Sequence, residues 1–531
     1  MPIYWHRLFF TLYLLTPPLI TLLLLGLAGN WSDSVRLALL SLPGCWLCFQ
    51  ATQKSNLVWN FFSILWWFIF IFHTSLLSVS WLLFNSDAEA YTVVESIANT
   101  TFNESLEFFH LHVVFFTLFI GFILIALILY FSILFKYFNK TDLHDQQVNR
   151  VGRYAVGLLI LLCIVSYAFK PSIALHPLLF WYGYYGNIAD FKLRILQHDK
   201  IHKEWTLNAK KRLIVDGKFN KKQIHTIVLT DSITSFNFGL CGYPRNTTPE
   251  LTKRSDQFKV FCRGYAPASS TIQSLRYLFN DGTRDVMDDN APENIMAYAK
   301  AAGFKVYWIS NQDDVYISSL FAAYADKAVF INKKSGRSNT SLDEKILPAY
   351  KIALNDPEPR KFIILHLIGS HPNYKMRYPE QFSKFSDYSN DEVEEKLEKN
   401  EISHLIQLKR NEYDNSILYQ DWIVSKLFDL LTSTQSDFRS FTFLSDHGNE
   451  VGHDQNYAGH SASTEAGYRV PIVIWYDQMP TKGIRSERPI DAGDLDRYIL
   501  HLMGGHDRLD RKEQLCWLDQ TCKFLPGLLW H

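Results

Sequence analysis

Hydrophobic and polar positions divide this chain into two regimes. In the first third the apolar residues come in long runs; beyond about residue 220 they come in short alternating ones. Residues 8–27 form the first run of membrane-spanning length, interrupted only by Thr, Tyr and the pair Pro17-Pro18. No small-residue cleavage site follows it, and further spans do, so it reads as a membrane helix and not as a secretory signal. Residues 35–51 form a weaker second run containing Pro43 and Gly44, residues 57–84 a third rich in Trp and Phe, 108–135 a fourth and 154–169 a fifth. The pattern predicts about five transmembrane helices.

Charges between the runs set their direction. Arg7, Lys54, Lys136, Lys140, Arg150 and Arg153 fall on one side if the N-terminus is cytoplasmic. The loop on the other side, 85–107, carries Asp87, Glu89, Glu95, Glu104 and Glu107 and neither Lys nor Arg. The excess of cations marks the cytoplasmic face, so the N-terminus lies inside. An odd number of spans then delivers everything after residue 169 to the outer side. Residues 176–212 follow as a mixed aromatic and basic stretch, with Phe180, Trp181, Tyr182, Tyr184 and Tyr185 ahead of Lys192, Arg194, Lys200 and Lys203. That order suits a segment lying on a bilayer surface, and equally a linker helix.

From His225 onward β-rich runs alternate with helix-period segments. The runs lie at 227–230, 304–309, 362–367, 441–444 and 470–475, and 416–431 is a helical stretch between two of them. Ile417, Val424, Leu427, Phe428 and Leu431 give that stretch an apolar stripe, so it is mostly core. Its Tyr413, Asn415 and Asp421 are expected to orient neighbouring loops. The alternation predicts a doubly wound α/β domain with a mainly parallel sheet. The expected organisation is a transmembrane domain over 1–172, a bridging segment over 173–220 and an α/β domain over 221–531.

Several β-runs end in residues with chemistry. The run at 227–230 ends in Asp231-Ser232, the one at 362–367 leads to Gly369-Ser370-His371-Pro372, and the one at 441–444 ends in Ser445-Asp446-His447-Gly448. Open α/β sheets place ligands at such strand ends. Asp231, Asp446 and His447 would give three ligands with an open fourth position, the arrangement a catalytic zinc requires. His371 and His460 could hold a second metal or steady a phosphate. The stretch from Cys262 to Ser274 is expected to begin as a loop and turn into a helix. A hydroxyl at the start of that helix is placed for nucleophilic attack, or simply as an N-cap at Ser269 or Ser270.

Composition removes some classes and adds a compartment. Lys plus Arg and Asp plus Glu both number 53, so nothing in the balance argues for nucleic acid. Cys45, Cys48 and Cys163 fall in apolar runs. Cys241, Cys262, Cys516 and Cys522 fall in the α/β part, an even number where disulfides are permitted, with Cys516–Cys522 and Cys241–Cys262 as plausible pairs.

The elements Leu240-Cys-Gly-Tyr-Pro-Arg-Asn-Thr-Thr-Pro249, Ser270-Thr271, Leu365-His-Leu-Ile-Gly-Ser-His-Pro372, Tyr413-Asp-Asn-Ser-Ile-Leu-Tyr-Gln-Asp421 and Ser445-Asp-His-Gly448, with Asp231, carry a resemblance. Together the chain resembles the membrane-bound phosphoethanolamine transferases, of the sulfatase branch of the alkaline phosphatase superfamily. The resemblance implies five membrane helices followed by a periplasmic alkaline-phosphatase-like (sulfatase-type) α/β domain, in the bacterial inner membrane. It implies that Thr271 becomes phosphoethanolaminylated and ligates the metal with Asp231, Asp446 and His447, while His371 and His460 serve substrate or a second metal. Zinc is the implied ion, with manganese as the alternative. Phosphatidylethanolamine is the implied donor, and lipid A, lipopolysaccharide core sugar or a periplasmic glucan the acceptor. A lipoteichoic-acid-type glycerophosphate transferase shares the layout, and a non-catalytic envelope-binding protein could keep the scaffold. The Cys/Ser-x-Pro-x-Arg element of mature sulfatases is absent from Ser270-Thr271-Ile272-Gln273-Ser274. Two departures stand out against the resemblance: Asp231 where Glu is usual, and Asn449 followed by Glu450 where Glu usually comes directly after Asp-His-Gly.

Overall fold

The structure, a computed structural model, describes residues 3–54, 57–84, 175–183, 198–215, 221–279, 294–312, 321–332, 341–386 and 391–508, with isolated residues besides. The chain separates into two compact units, Met1–Ala98 with Phe108–Lys192 and Asn99–Glu107 with Leu193–His531. Of the boundaries between them, the one from Lys192 to Leu193 lies in the segment 173–220.

In the first unit α1 (Ile3–Leu27), α2 (Trp31–Lys54) and α3 (Leu57–Phe84) match the first three apolar runs. Leu25, Leu37, Leu40, Phe70 and Leu77 bury a common cluster with Phe180. Gly44, which weakened the second run as a helix signal, leaves room for the Trp66 indole: a Cβ there would lie 1.5 Å from Nε1. That nitrogen donates to Ser41 O at 3.3 Å. The Thr21 and Thr74 hydroxyls pair at 3.2 Å, as polar groups in apolar surroundings must. Among the described residues, Phe61–Val79 is long and apolar enough to cross a membrane, and Leu15–Leu27 is a shorter apolar helix. The runs at 108–135 and 154–169 lie, but for a few positions, outside the described residues, as does the Cys516–Cys522 pair. Phe180 is buried, while Tyr182 and Tyr185 beside it are exposed.

The second unit is built on strands β1 (Leu213–Val215), β2 (Gln223–Thr230), β3 (Lys259–Tyr265), β4 (Lys305–Ser310), β5 (Lys327–Phe330), β6 (Arg360–His366), β7 (Phe438–Ser445), β8 (Glu450–Val451), β9 (Ala458–Gly459), β10 (Arg469–Tyr476), β11 (Ile484–Ser486), β12 (Ile490–Asp491) and β13 (Gly505–Asp507). The main sheet runs β11-β3-β10-β7-β2-β6-β4-β5. Strands β7, β2, β6, β4 and β5 are mutually parallel, and β10 is antiparallel to both β7 and β3. Every residue of β2 is buried, as expected of a central strand covered on both faces. Ile227 and Leu229 face one core with Leu275 and Leu278 of the helix Thr271–Phe279. Ile224 and Val228 face the other, with Ile417, Val424 and Leu427 of the helix His404–Thr432. Fully burying a side chain of this kind contributes about 1.5–3 kcal/mol, so this stripe anchors the long helix to the sheet.

One expectation is corrected. Residues 262–265 are not loop but the end of β3, a strand the sequence disguises with Lys259, Arg263 and Gly264. Lys259 is buried with its Nζ donating to Trp517 O at 3.0 Å, and a Cβ on Gly264 would meet Val470 O of β10 at 2.8 Å. The disulfide Cys241–Cys262 forms and ties β3 to the Gly239–Cys241 turn.

Beyond β6 the chain turns at Gly369, whose φ of +61° is left-handed. A Cβ there would meet the backbone N and O of Asp231 at 2.5 Å, so only glycine lets the two strand ends approach. Gly369→Ala should therefore lower stability by about 1–3 kcal/mol and displace Asp231. Thermal unfolding of the full chain in nanodiscs, with zinc content measured alongside, checks this; wild-type values of both would refute it.

Candidate metal centre and active site

Parallel register brings the candidate residues together. Thr230 of β2 pairs with Ser445 of β7, so the next residues, Asp231 and Asp446, emerge side by side, and Asp446 N donates to Thr230 O at 3.0 Å. On the other flank Leu229 pairs with His366 of β6, and Ser370 N donates to Asp231 O at 2.9 Å. Asp231, Asp446 and His447 are fully buried.

Each side chain is oriented by neighbours. Asp446 Oδ1 accepts from Ser232 N at 3.1 Å and from His447 N at 2.7 Å, while its buried Oδ2 has no partner. His447 Nδ1 lies 2.8 Å from Gly448 O and donates to it, which leaves the lone pair on Nε2. That Nε2 is 3.6 Å from Asp446 Oδ2 and 3.8 Å from Asp231 Oδ1. Asp231 Oδ1 accepts from Ser232 Oγ at 2.5 Å and Oδ2 from Gln312 Nε2 at 2.9 Å.

Thr271 is the first residue of the helix Thr271–Phe279, so its hydroxyl sits at the positive end of the helix dipole. Its Oγ1 donates to Asp231 Oδ2 at 3.4 Å and lies 3.3 Å from His447 Nε2. Three positions on, Ser274 Oγ donates to Asp446 O and fixes that helix to the end of β7. His460 reaches the same place from the other side, with Nε2 3.4 Å from Ser232 Oγ and its ring 4.5 Å from that of His447. The His371 and His460 rings are 5.9 Å apart.

Two ligand groupings result, and Asp231 belongs to both: Asp231, Asp446 and His447, and Asp231, His371 and His460. In each, one ligand atom per residue lies within 4.8 Å of the others. Burial first, and then the facing Asp231, hold the Asp446 carboxyl up at about 7. Two buried acids, a free imidazole lone pair and an orphaned carboxylate oxygen are a donor set that fits a divalent ion of zinc's kind.

Other contributors were not singled out from sequence. Gln312 stands two residues past β4 and bridges Asp231 Oδ2 to Leu367 O, at 2.9 Å each. Buried Asp343 accepts from Ile368 N at 2.9 Å and Gly369 N at 3.0 Å, holding the loop that leads to His371. Ser232 has a φ of 65°, strained for a residue with a Cβ, and Tyr413 Oη pins it by donating to Ser232 O at 2.6 Å. The position of Gln312 at a strand end was the available signal; for Asp343 and Ser232 the sequence offers none.

The sulfatase family model matches residues 225–505. The chain belongs to the sulfatase family. Phosphoethanolamine transferase EptC of Escherichia coli K12 is 31% identical to it over 273 residues, 49% of this chain and 46% of that one. Phosphoethanolamine transferase CptA of Salmonella typhimurium is 30% identical over 266 residues, 47% of this chain and 44% of that one. The matched region thus spans less than half the length of these curated relatives. Among solved structures, the zinc complex of the C-terminal periplasmic domain of Escherichia coli EptC superposes with a TM-score of 0.50 at 27% identity, covering 56% of this chain and 85% of that one. The integral membrane protein lipooligosaccharide phosphoethanolamine transferase A of Neisseria meningitidis superposes with a TM-score of 0.54 over 88% of this chain and 95% of that one. At 18% identity it shows the fold alone: helices of membrane type followed by an alkaline-phosphatase-like α/β domain.

Because Asp446 is held near 7, a cation binding below that pH must displace its proton. Zinc affinity should rise about tenfold per pH unit up to about pH 7 and level off above it. Competition with a zinc chelator across this range checks the slope; a flat profile would mean that Asp446 is not a ligand. Asp231→Ala, Asp446→Ala and His447→Ala should each lower zinc stoichiometry, and full zinc in Asp231→Ala would remove the shared ligand.

Proposed function

We propose that this chain transfers phosphoethanolamine from phosphatidylethanolamine to an envelope glycan, through a covalent ester on Thr271. The acceptor class is lipid A, a lipopolysaccharide core sugar or a periplasmic glucan. In this reading the protein spans the bacterial inner membrane several times, with its N-terminus in the cytoplasm and its α/β unit in the periplasm. The observation that carries the reading is the Thr271 hydroxyl, held at a helix start between Asp231 Oδ2 and His447 Nε2. Relatives whose names are phosphoethanolamine transferases support it.

Asp231, Asp446, His447 and Thr271 would hold zinc, or alternatively manganese. The bound ion would supply Lewis acidity, favouring the Thr271 alkoxide and neutralising phosphoryl charge. Thr271 Oγ1 bonds to the phosphorus of the donor as the bond from phosphorus to the diacylglycerol oxygen breaks. Asp231 Oδ2 is the acceptor towards which the threonine proton already points, and the departing diacylglycerol oxygen takes up a proton. Backbone N–H groups of the helix's first turn face the developing negative charge. His371 and His460, across Asp231, are placed to donate to phosphoryl oxygens. In the second half an acceptor oxygen bonds to the phosphorus, the bond to Thr271 Oγ1 breaks, and the threonine regains its proton.

Thr271→Ala should abolish the covalent adduct and all transfer, while zinc stays bound through Asp231, Asp446 and His447, the three ligands that remain. Intact-mass measurement after incubation with phosphatidylethanolamine in nanodiscs tests it. An adduct that persists in Thr271→Ala, or one that maps to Ser269 or Ser270, would overturn the assignment.

A further inference from the structure

The Gly242-Tyr243-Pro244-Arg245 element, specific to the resemblance, contributes nothing to the metal centre. It forms part of a neighbouring cleft of about 320 Å³. Gly242, Tyr243 and Pro244 line it from one element, Glu392 and Lys396 from the helix Glu392–Lys399, and His453 from the loop between β8 and β9. Phe236, Arg410 and Arg469 line it as well.

Buried ion pairs make the cleft rigid. Arg245, only 3% exposed, donates to Asp391 at 2.7 Å and to Asp414 at 2.8 Å. Asp391 in turn caps the helix Glu392–Lys399 by accepting from Val393 N and Glu394 N. The lining helix is thus fastened to the Gly-Tyr-Pro-Arg turn, and the disulfide Cys241–Cys262 fastens that turn to β3.

Two polar groups of the lining are unsatisfied, the Ser235 Oγ and the His453 Nε2. Arg410 Nη2 donates to His453 Nδ1 at 3.0 Å, so the ring proton is on Nε2. That Nε2 is buried and has no hydrogen-bond partner. Burial, with Arg410 and Lys396 nearby, holds the ring far below its ordinary value and therefore neutral. A buried, unpaired N–H costs about 1–3 kcal/mol.

We propose that this cleft holds a sugar ring of the acceptor while its oxygen attacks the Thr271 ester, an inference that rests on the transfer reading above. The cleft is contiguous in sequence with the active site: Phe236 is five residues past Asp231, a reach of at most about 18 Å, and His453 lies between His447 and His460. Its charge is mixed, with Glu392 and Asp454 among Lys396, Arg410 and Arg469. Sugar hydroxyls both donate and accept, and so suit a lining that carries both acids and cations. The Phe236 ring adds an apolar surface, backed by the Arg469 guanidinium 4.5 Å from its centroid.

The test separates the two half-reactions in the full chain in nanodiscs. Build-up of the Thr271 adduct from phosphatidylethanolamine is followed first. Its decay is then followed as deacylated lipopolysaccharide oligosaccharide is added. In Lys396→Ala, in His453→Gln and in Asn400→Trp, which fills the cleft from another lining residue, the oligosaccharide concentration for half-maximal decay should rise at least about fivefold more than build-up changes, the size of one lost hydrogen bond. An unchanged concentration in both His453→Gln and Asn400→Trp overturns the cleft assignment, as does a fall in build-up of equal size, which would mean only structural damage. Absence of any adduct in the wild-type protein strikes the transfer reading itself.

Discussion

Two buried carboxyl groups at adjacent strand ends are the constraint on which the rest of the α/β unit depends. The register of β2 against β7 makes Asp231 and Asp446 neighbours, with ligand oxygens inside 4.8 Å. Two unit charges at that separation repel by roughly 3 kcal/mol at an effective dielectric near 20, before any cost of desolvation. Hydrogen bonds from Ser232 and Gln312 offset part of this, and a divalent ion bound there would convert the remainder into binding energy. Without an ion, the strain surfaces as the raised pKa of Asp446 and its orphaned Oδ2.

One helix does most of the positioning. The apolar stripe of His404–Thr432 is core, and the polar residues between its apolar ones reach three separate loops. Tyr413 holds Ser232 and Thr234, with Oη donating to Ser232 O and accepting from Thr234 N at 2.8 Å. Asp414 takes hydrogen bonds from Arg245, Asn237 and Tyr243. Gln420 donates to Asp343 at 2.7 Å, and through it to the Ile368-Gly369 turn. Asp421 accepts from Glu250 N and Leu251 N; its burial there pushes the carboxyl up to about 7. A helix packed on the sheet thus transmits the geometry of the core to the strand ends that carry Asp231 and Asp446, and to the cleft.

What was legible in the sequence was what local pattern controls. Five β-runs and their terminal Asp and His residues could be read because a central parallel strand is apolar throughout and its end is polar. The expectation that Tyr413, Asn415 and Asp421 orient loops followed from the apolar stripe beside them, and Asn415 does accept from Lys384 N and Phe385 N. β3 was missed because Lys259 and Arg263 interrupt its pattern, and the partner that lets Lys259 be buried, Trp517, lies far along the chain. Asp343 was illegible for the same reason, and Gln312 was legible only as a residue past a strand end. Their roles come from sheet order, which puts β4 and β6 beside β2, and no spacing in the sequence states that order.

The departure at Asn449-Glu450 takes on a physical sense in this arrangement. Asn449 is fully buried and donates to Tyr374 Oη at 3.1 Å, a neutral contact where a carboxylate would add a third acid to a site already crowded with two. The acid at 450 serves the loop instead: its side chain accepts from His453 N and from Asp454 N. Those bonds fix the segment carrying His453 into the cleft and His460 into the metal-bearing cluster. The carboxylate at 450 therefore serves the loop between the Asp446–His447 strand end and the cleft. The two sites share one loop, and whatever sets the position of one sets the position of the other.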